Sequence, residues 1–146
     1  MSRVLLLDDH ALTEEVLTKS ISAREPNSSL LTTSYWYYRA CRGAVLGAGG
    51  QLSGPFEQLA NDLQEAAIAT LLTLPERIEL PDPRTTAPLM VAVGGRHPKL
   101  NLLNLEAVAV AVNTGAHVLL SDRAATGILS GVLAAEAVDW SSNLGG

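Results

Sequence analysis

Acidic residues follow two apolar runs of this 146-residue chain, and their placement could support chemistry. Asp8 and Asp9 come directly after VLLL at 4–7, and Asp122 comes directly after AHVLLS at 116–121. An aspartate in such a place can accept a phosphoryl group, bind a hard cation, or cap the helix that follows. The rest of the sequence has to decide between these three uses.

The apolar runs themselves predict the elements that position these acids. The segments at 3–7 and 116–121 are short and mostly apolar, as expected for strands buried on both faces of a sheet. Helical spacing follows at 11–23, and a nearly all-apolar helix is predicted at 101–115. This alternation predicts a three-layer α/β/α sandwich with a mainly parallel central sheet. Sites in such sheets form at the carboxyl ends of strands, where both aspartate positions lie.

The remaining segments extend the same alternation over a single domain, predicted to span residues 1–140 and to be followed by a frayed tail at 141–146. The glycine-rich stretch between the second and third helices has neither the Walker nor the dinucleotide-binding spacing and is interpreted as a loop. The predicted elements are an extended and then helical segment at 30–46, a loop at 47–55, helices at 56–74, 85–95 and 124–136, and strands at 76–80 and 137–140.

Composition excludes several classes of protein. Hydrophobic residues make up 47% of the chain, which is enough for a core, and the formal net charge of −5 argues against a broad phosphate-binding face. The single cysteine, Cys41, excludes an internal disulfide and fits a cytoplasmic location. No apolar run approaches the roughly 18 residues that a membrane span requires, so no membrane partner is expected.

Phosphorylation is the least favoured use of the paired aspartates. The segment VLLLDDHAL resembles the opening of response-regulator receiver domains, in which paired acids help to bind magnesium. A receiver also needs a phosphoacceptor aspartate about 45 residues further on and a lysine after a late strand. This chain has GGQLSGPFEQL in the first place, and its only lysines, Lys19 and Lys99, do not follow strands.

A different resemblance covers the whole chain. The segment LDDHAL is similar to the L-D-x-x-A-L opening of PIN domains, and LEAVAVAVNTGAHVLLSD is similar to their late helix, glycine turn and strand ending in an aspartate. Among PIN domains the chain resembles the small VapC-type toxins. The resemblance implies that Asp8 and Asp122 bind Mg²⁺ or Mn²⁺ and that the substrate is RNA.

The sequence departs from the family pattern at two acidic positions. The family glutamate of the second helix falls on Ala40, and the family aspartate before the helix-ending glycine falls on Asn104, with Glu106 two residues later. The predicted metal ligands are therefore Asp8, Asp122, Glu106 and Asn104, of which the three acids are the predicted catalytic residues. Each lost carboxylate weakens such a site.

Basic and aromatic residues suggest how a partner is bound. Arg39 and Arg42 share a helical face, and Arg96, His97 and Lys99 cluster in RHPKLN; these five residues are the candidates for contact with RNA or with an antitoxin-like protein. The aromatic segment at 35–38 predicts a homodimer or partner interface.

Two functions remain open. The leading one is a weak, metal-dependent endoribonuclease of the VapC type. The second is a catalytically inactive PIN-like module that binds RNA or a protein partner, and the missing acid of the second helix favours it.

Overall fold

The computed structural model describes residues 3–46 and 61–142 and contains a five-stranded parallel sheet. The strands stand in the order β3-β2-β1-β4-β5, and every neighbouring pair is parallel. This order is doubly wound, because the chain moves outward in one direction from β1 and then returns to add strands on its other side. The strands are β1 (Val4–Leu7), β2 (Ser29–Thr32), β3 (Ile78–Glu79), β4 (His117–Leu120) and β5 (Trp140–Ser142).

Helices cover both faces of the sheet, so the predicted α/β/α sandwich is confirmed. Apolar residues of α1 to α4 pack on one face with Leu5 and Leu7, and those of α5, α6 and α8 pack on the other with Leu6. The helices are α1 (Asp9–Thr18), α2 (Ser20–Arg24), α3 (Ser34–Leu46), α4 (Asn61–Leu72), α5 (Pro83–Arg96), α6 (Leu102–Thr114), α7 (Asp122–Ala125) and α8 (Ile128–Ala135).

The strands predicted at 3–7 and 116–121 are neighbours in the sheet, as β1 and β4. Leu5 pairs with His117 and Leu7 with Leu119, so the two strands end side by side. They form the central pair from which the sheet grows in opposite directions, and the carboxyl edge of such a pair is the topological switch point where ligands bind in open α/β sheets.

Several element bounds differ from the predictions for local reasons. The helix predicted at 11–23 is divided because Lys19 adopts a left-handed conformation, with φ of 55°. The strand predicted at 137–140 begins instead at Trp140, because Ala137 also has a positive φ, of 59°, and ends α8 in a turn. Ser141 and Ser142, expected in the tail, therefore belong to β5.

Other differences concern the helices and the ends of the description. The helix predicted at 124–136 is divided into α7 and α8, and the helix predicted at 85–95 begins earlier, at Pro83, where Asp82 caps it. Residues 47–60 and 143–146, which include the predicted glycine-rich loop and the rest of the tail, lie outside the described residues. Among the described helices, none is long and apolar enough to cross a membrane.

Candidate functional site

Asp8 joins the end of β1 to the end of β4. Its side chain is fully buried, and its Oδ1 accepts a hydrogen bond from the Ala11 backbone N–H at 2.9 Å. Its Oδ2 accepts a hydrogen bond from the Ser121 backbone N–H at 2.6 Å. Burial raises the pKa of the Asp8 carboxyl above its ordinary value, although the two backbone donors oppose that rise. Asp8 therefore caps α1 and also accepts a hydrogen bond from the turn that follows β4.

Asp122 lies at the same edge of the sheet but in different surroundings. It begins α7, and its side chain is exposed to solvent. The cap of that helix is Ser121, whose Oγ accepts a hydrogen bond from the Ala124 N–H at 3.2 Å. The structure thus brings the two predicted aspartates to one edge while burying only Asp8.

Glu106 links two helices that are far apart in the sequence. It is 4% exposed, and its two carboxylate oxygens accept hydrogen bonds from the backbone N–H groups of Ser34 at 3.0 Å and Tyr35 at 2.8 Å. The Thr33 hydroxyl accepts from the Trp36 N–H at 3.0 Å. Together these acceptors satisfy three N–H groups at the start of α3, which a helix cannot satisfy internally.

The two positions where acids are missing have different environments. Ala40 is fully buried in the core beneath α1, among apolar residues such as Leu12. Asn104 is half-buried, and its backbone N–H donates to the Asn101 side chain at 2.9 Å, which caps α6. Of these two positions, only Asn104 lines the pocket described next.

A pocket of about 290 Å³ lies at the switch point beside Asp8. We call it the switch-point pocket. Its polar wall carries one carboxylate and two guanidinium groups, and its apolar wall comes mainly from α6 and α8. The lining residues are Asp9, His10, Trp36, Arg39, Asn101, Leu103, Asn104, Ser121, Arg123, Ala124, Gly127, Ile128 and Leu129.

Asp9 is the acid that faces this pocket. Its side chain is only 6% exposed, and its Oδ2 has no hydrogen-bond partner within the described ranges 3–46 and 61–142. The Arg39 Nε lies 3.5 Å from that oxygen, close enough for an ion pair but without hydrogen-bond geometry. Arg39 thus keeps a positive charge beside a buried carboxylate that still has an unused acceptor atom.

These residues do not fit a Mg²⁺ or Mn²⁺ site. In the part of the chain that the structure describes, no group of three or more His, Cys, Asp and Glu side chains is placed to hold a metal. Asp8 and Glu106 direct both oxygens toward backbone N–H groups, and Asp122 is exposed. Such cations need several oxygen ligands at once, and the pocket offers the carboxylate of Asp9 next to a guanidinium group.

Sequence reasoning missed Arg123, Asn101 and Ser121. Arg123 directly follows Asp122, so its place after a buried strand carried the same positional signal as the aspartate. Arg39 was identified as a basic candidate, and Asp9 was noted only as a neighbour of Asp8. The pocket becomes visible only when α1, α3 and α7 meet around the end of the sheet.

The cluster predicted in RHPKLN has a different partner. Arg96 donates to both carboxylate oxygens of Glu136 at 2.9 Å, and His97 Nε2 lies 2.7 Å from Glu136 Oε2. Lys99 is exposed. Glu136 lines a cavity near His117, at the amino end of β4, so this cluster lies away from the switch-point pocket. Its contact with RNA or a protein stays a prediction.

Glu136 gives a prediction about acid stability. Its hydrogen bonds from Arg96 and His97 lower its pKa from 4.5 to about 2. A lowered pKa stabilises the folded state above pH 4.5, and this contribution is lost as the pH falls toward 2. The Glu136→Gln variant is therefore expected to be slightly less stable than the wild type at pH 7. The difference in urea-unfolding free energy between the wild type and Glu136→Gln should become smaller below pH 4.5. The control Glu79→Gln, at an exposed site, should show no such trend.

The aromatic segment at 35–38 divides between core and surface. Trp36 is 2% exposed, and the Tyr37 hydroxyl donates to the backbone carbonyls of Leu71 and Leu72. Tyr35 and Tyr38 are exposed by 39% and 62%. Only these two rings are available for the predicted homodimer interface, which stays a prediction.

The fold of this chain is similar to that of a solved structure. Over 95% of this chain and 97% of the other, it is similar to VapBC-1 from nontypeable Haemophilus influenzae, with a TM-score of 0.58 and 14% identity. It also matches PAE2754 from Pyrobaculum aerophilum, with a TM-score of 0.48 and 17% identity over 94% and 98% of the two chains. No protein-family model and no curated protein matches the sequence. The similarity to VapBC-1 confirms the PIN-like, VapC-type fold that the sequence resemblance predicted.

Proposed function

We propose that this chain is a catalytically inactive PIN-like module that binds RNA through the switch-point pocket. The observation that carries the proposal is what the predicted catalytic acids contact in the structure. Asp8 and Glu106 accept backbone hydrogen bonds from the starts of helices, and Asp122 is exposed. The positions that would assemble a metal centre therefore serve the fold.

Metal-dependent cleavage is less favoured on energetic grounds. A cation at Asp8 or Glu106 would have to share carboxylate oxygens that already accept hydrogen bonds from part-buried backbone N–H groups, and a donor that loses its acceptor costs about 1–3 kcal/mol. The pocket itself contains two guanidinium groups and one carboxylate, a balance that repels a divalent cation. The same balance favours an anion.

RNA is the ligand class that this balance supports. Arginine forms paired hydrogen bonds with phosphate oxygens, and the pocket lies where open α/β sheets bind ligands. The net charge of −5 opposes a broad electrostatic interface. A local contact through Arg39 and Arg123 is compatible with that net charge, and we place the protein in the cytoplasm, where RNA is available.

The test measures binding and cleavage of the same RNA. A fluorescein-labelled single-stranded RNA of mixed sequence should bind the wild-type protein in EDTA, as followed by anisotropy. Loss of one charged contact is worth about tenfold in affinity, so Arg39→Ala and Arg123→Ala should each weaken binding about tenfold. Arg84→Ala is the control, because Arg84 is exposed on α5 and outside the pocket.

Cleavage decides between the two functions. With Mn²⁺ or Mg²⁺ added, the RNA should remain intact, and Mn²⁺ alone should not raise the melting temperature of the protein. Cleavage that requires Mn²⁺ and disappears in Asp122→Asn would instead support the VapC-type ribonuclease. The absence of RNA binding under all these conditions would contradict our proposal.

A protein partner is the second candidate, favoured by the exposed rings of Tyr35 and Tyr38. These rings lie in the first two turns of α3, next to Trp36 in the pocket wall. A homodimer or an antitoxin-like partner could cover them. Light scattering of the wild type and of Tyr38→Ser over a range of concentrations measures whether this surface associates.

A further inference from the structure

We propose that the switch-point pocket recognises the 2′-hydroxyl of one ribonucleotide through Asp9, while Arg39 and Arg123 pair with the adjoining phosphate. This inference rests on the proposed function, because it names the chemical group that the RNA presents to the pocket. It makes the pocket a site that distinguishes RNA from DNA.

The unused acceptor of Asp9 is the first observation. A buried polar atom normally has a hydrogen-bond partner, and an ionised oxygen without one is costly. Asp9 Oδ2 is buried at the pocket wall and has no hydrogen-bond partner among residues 3–46 and 61–142. A ligand that donates a hydrogen bond to this atom would satisfy it.

The kind of donor follows from the neighbouring charge. The Arg39 guanidinium lies 3.5 Å from the same oxygen, so a metal ion or ammonium group placed there would meet a like charge. A neutral hydroxyl can donate to Asp9 without that repulsion. The 2′-hydroxyl is the sugar group that RNA has and DNA lacks.

The rest of the ligand follows from charge and size. One carboxylate and two guanidinium groups leave the pocket with one positive charge, which one phosphodiester neutralises. The volume of about 290 Å³ lies just below the range of ligand pockets, roughly 300–1,000 Å³, and suits a single nucleotide better than a duplex. Leu103, Ile128 and Leu129 form an apolar wall against which a base can pack.

The experiment replaces the hydroxyl in the probe and its acceptor in the protein. Wild-type affinity is measured for single-stranded RNA, for 2′-fluoro RNA and for DNA of the same sequence. The fluorine keeps the sugar pucker of RNA but cannot donate a hydrogen bond. Since one hydrogen bond to a charged group is worth about tenfold, the RNA should bind about tenfold more tightly than either analogue.

The protein side of the experiment removes the acceptor. Asp9→Ala should bind RNA and 2′-fluoro RNA equally, whereas Asp139→Ala, which changes an exposed aspartate outside the pocket, should keep the preference. Equal wild-type affinity for RNA and 2′-fluoro RNA would overturn the assignment to Asp9 and leave the proposed function standing. Loss of all RNA binding in the wild type would overturn the proposed function itself. The comparison of probes on the wild type decides the question even if Asp9→Ala fails to fold.

Discussion

Replacing Glu106 with alanine is expected to lower the free energy of unfolding by about 3 kcal/mol, because two part-buried backbone N–H groups lose a charged acceptor. Those groups belong to Ser34 and Tyr35 at the start of α3. Hydrogen bonds to charged groups contribute about 1.5–3 kcal/mol each, and part of that is regained when water reaches the helix end. Urea denaturation followed by circular dichroism measures the change.

Two further variants separate the cap from general effects of substitution. Glu106→Gln keeps one oxygen acceptor and should lose about half as much stability as Glu106→Ala. Glu65→Ala, in which an exposed glutamate of α4 is replaced, should change stability by no more than about 0.5 kcal/mol. Equal or increased stability of Glu106→Ala would show that Glu106 is strained in the fold and available as a ligand.

The fold was predictable because its signals are local. Continuous apolar runs marked β1 and β4 as strands buried on both faces, and two such strands in a parallel sheet are expected near its centre. The end of α6 was also predictable from a glycine in the sequence. Gly115 has a left-handed φ of 66°, which glycine adopts without strain. The breaks at Lys19 and Ala137 were not predictable, because these residues adopt a positive φ although neither is glycine.

The roles of the acids were not predictable from such signals. An aspartate that caps a helix and one that binds a metal both follow a strand, so position alone does not separate them. The partner of Glu106 lies 72 residues away at Ser34, and that of Asp8 lies 113 residues away at Ser121. Only the packed structure shows that both oxygens of each acid accept a backbone hydrogen bond.

A shift of one residue along α3 explains why the role of Arg39 in the pocket was not predicted. Counting along the family pattern leads to Ala40, which is buried in the core. The preceding residue, Arg39, faces the pocket, because successive residues of a helix are rotated by about 100°. Where the pattern places an acid, the neighbouring position of this chain supplies a guanidinium group instead.

Replacing Asp8 with alanine is expected to lower the free energy of unfolding by about 2–3 kcal/mol in mild acid, because Ala11 and Ser121 lose the acceptor of their N–H groups. Asp122→Ala is the matched control at the same edge of the sheet. It should change stability by less than about 0.5 kcal/mol, since its side chain is exposed. Two ligands of one metal would instead respond alike, because removing either acid relieves repulsion in the empty site.

The pH dependence of the Asp8→Ala effect tests the same assignment by a second route. Burial raises the pKa of Asp8 above 3.8, so the folded protein binds more protons than the unfolded chain over the interval above that value. The contribution of Asp8 to stability is therefore complete below pH 3.8 and declines as the pH rises through its pKa in the folded protein. The stability gap between the wild type and Asp8→Ala should narrow over that interval in urea-unfolding measurements. A gap that widens with rising pH would mean that the folded state favours the ionised carboxylate, the form that a metal ligand requires.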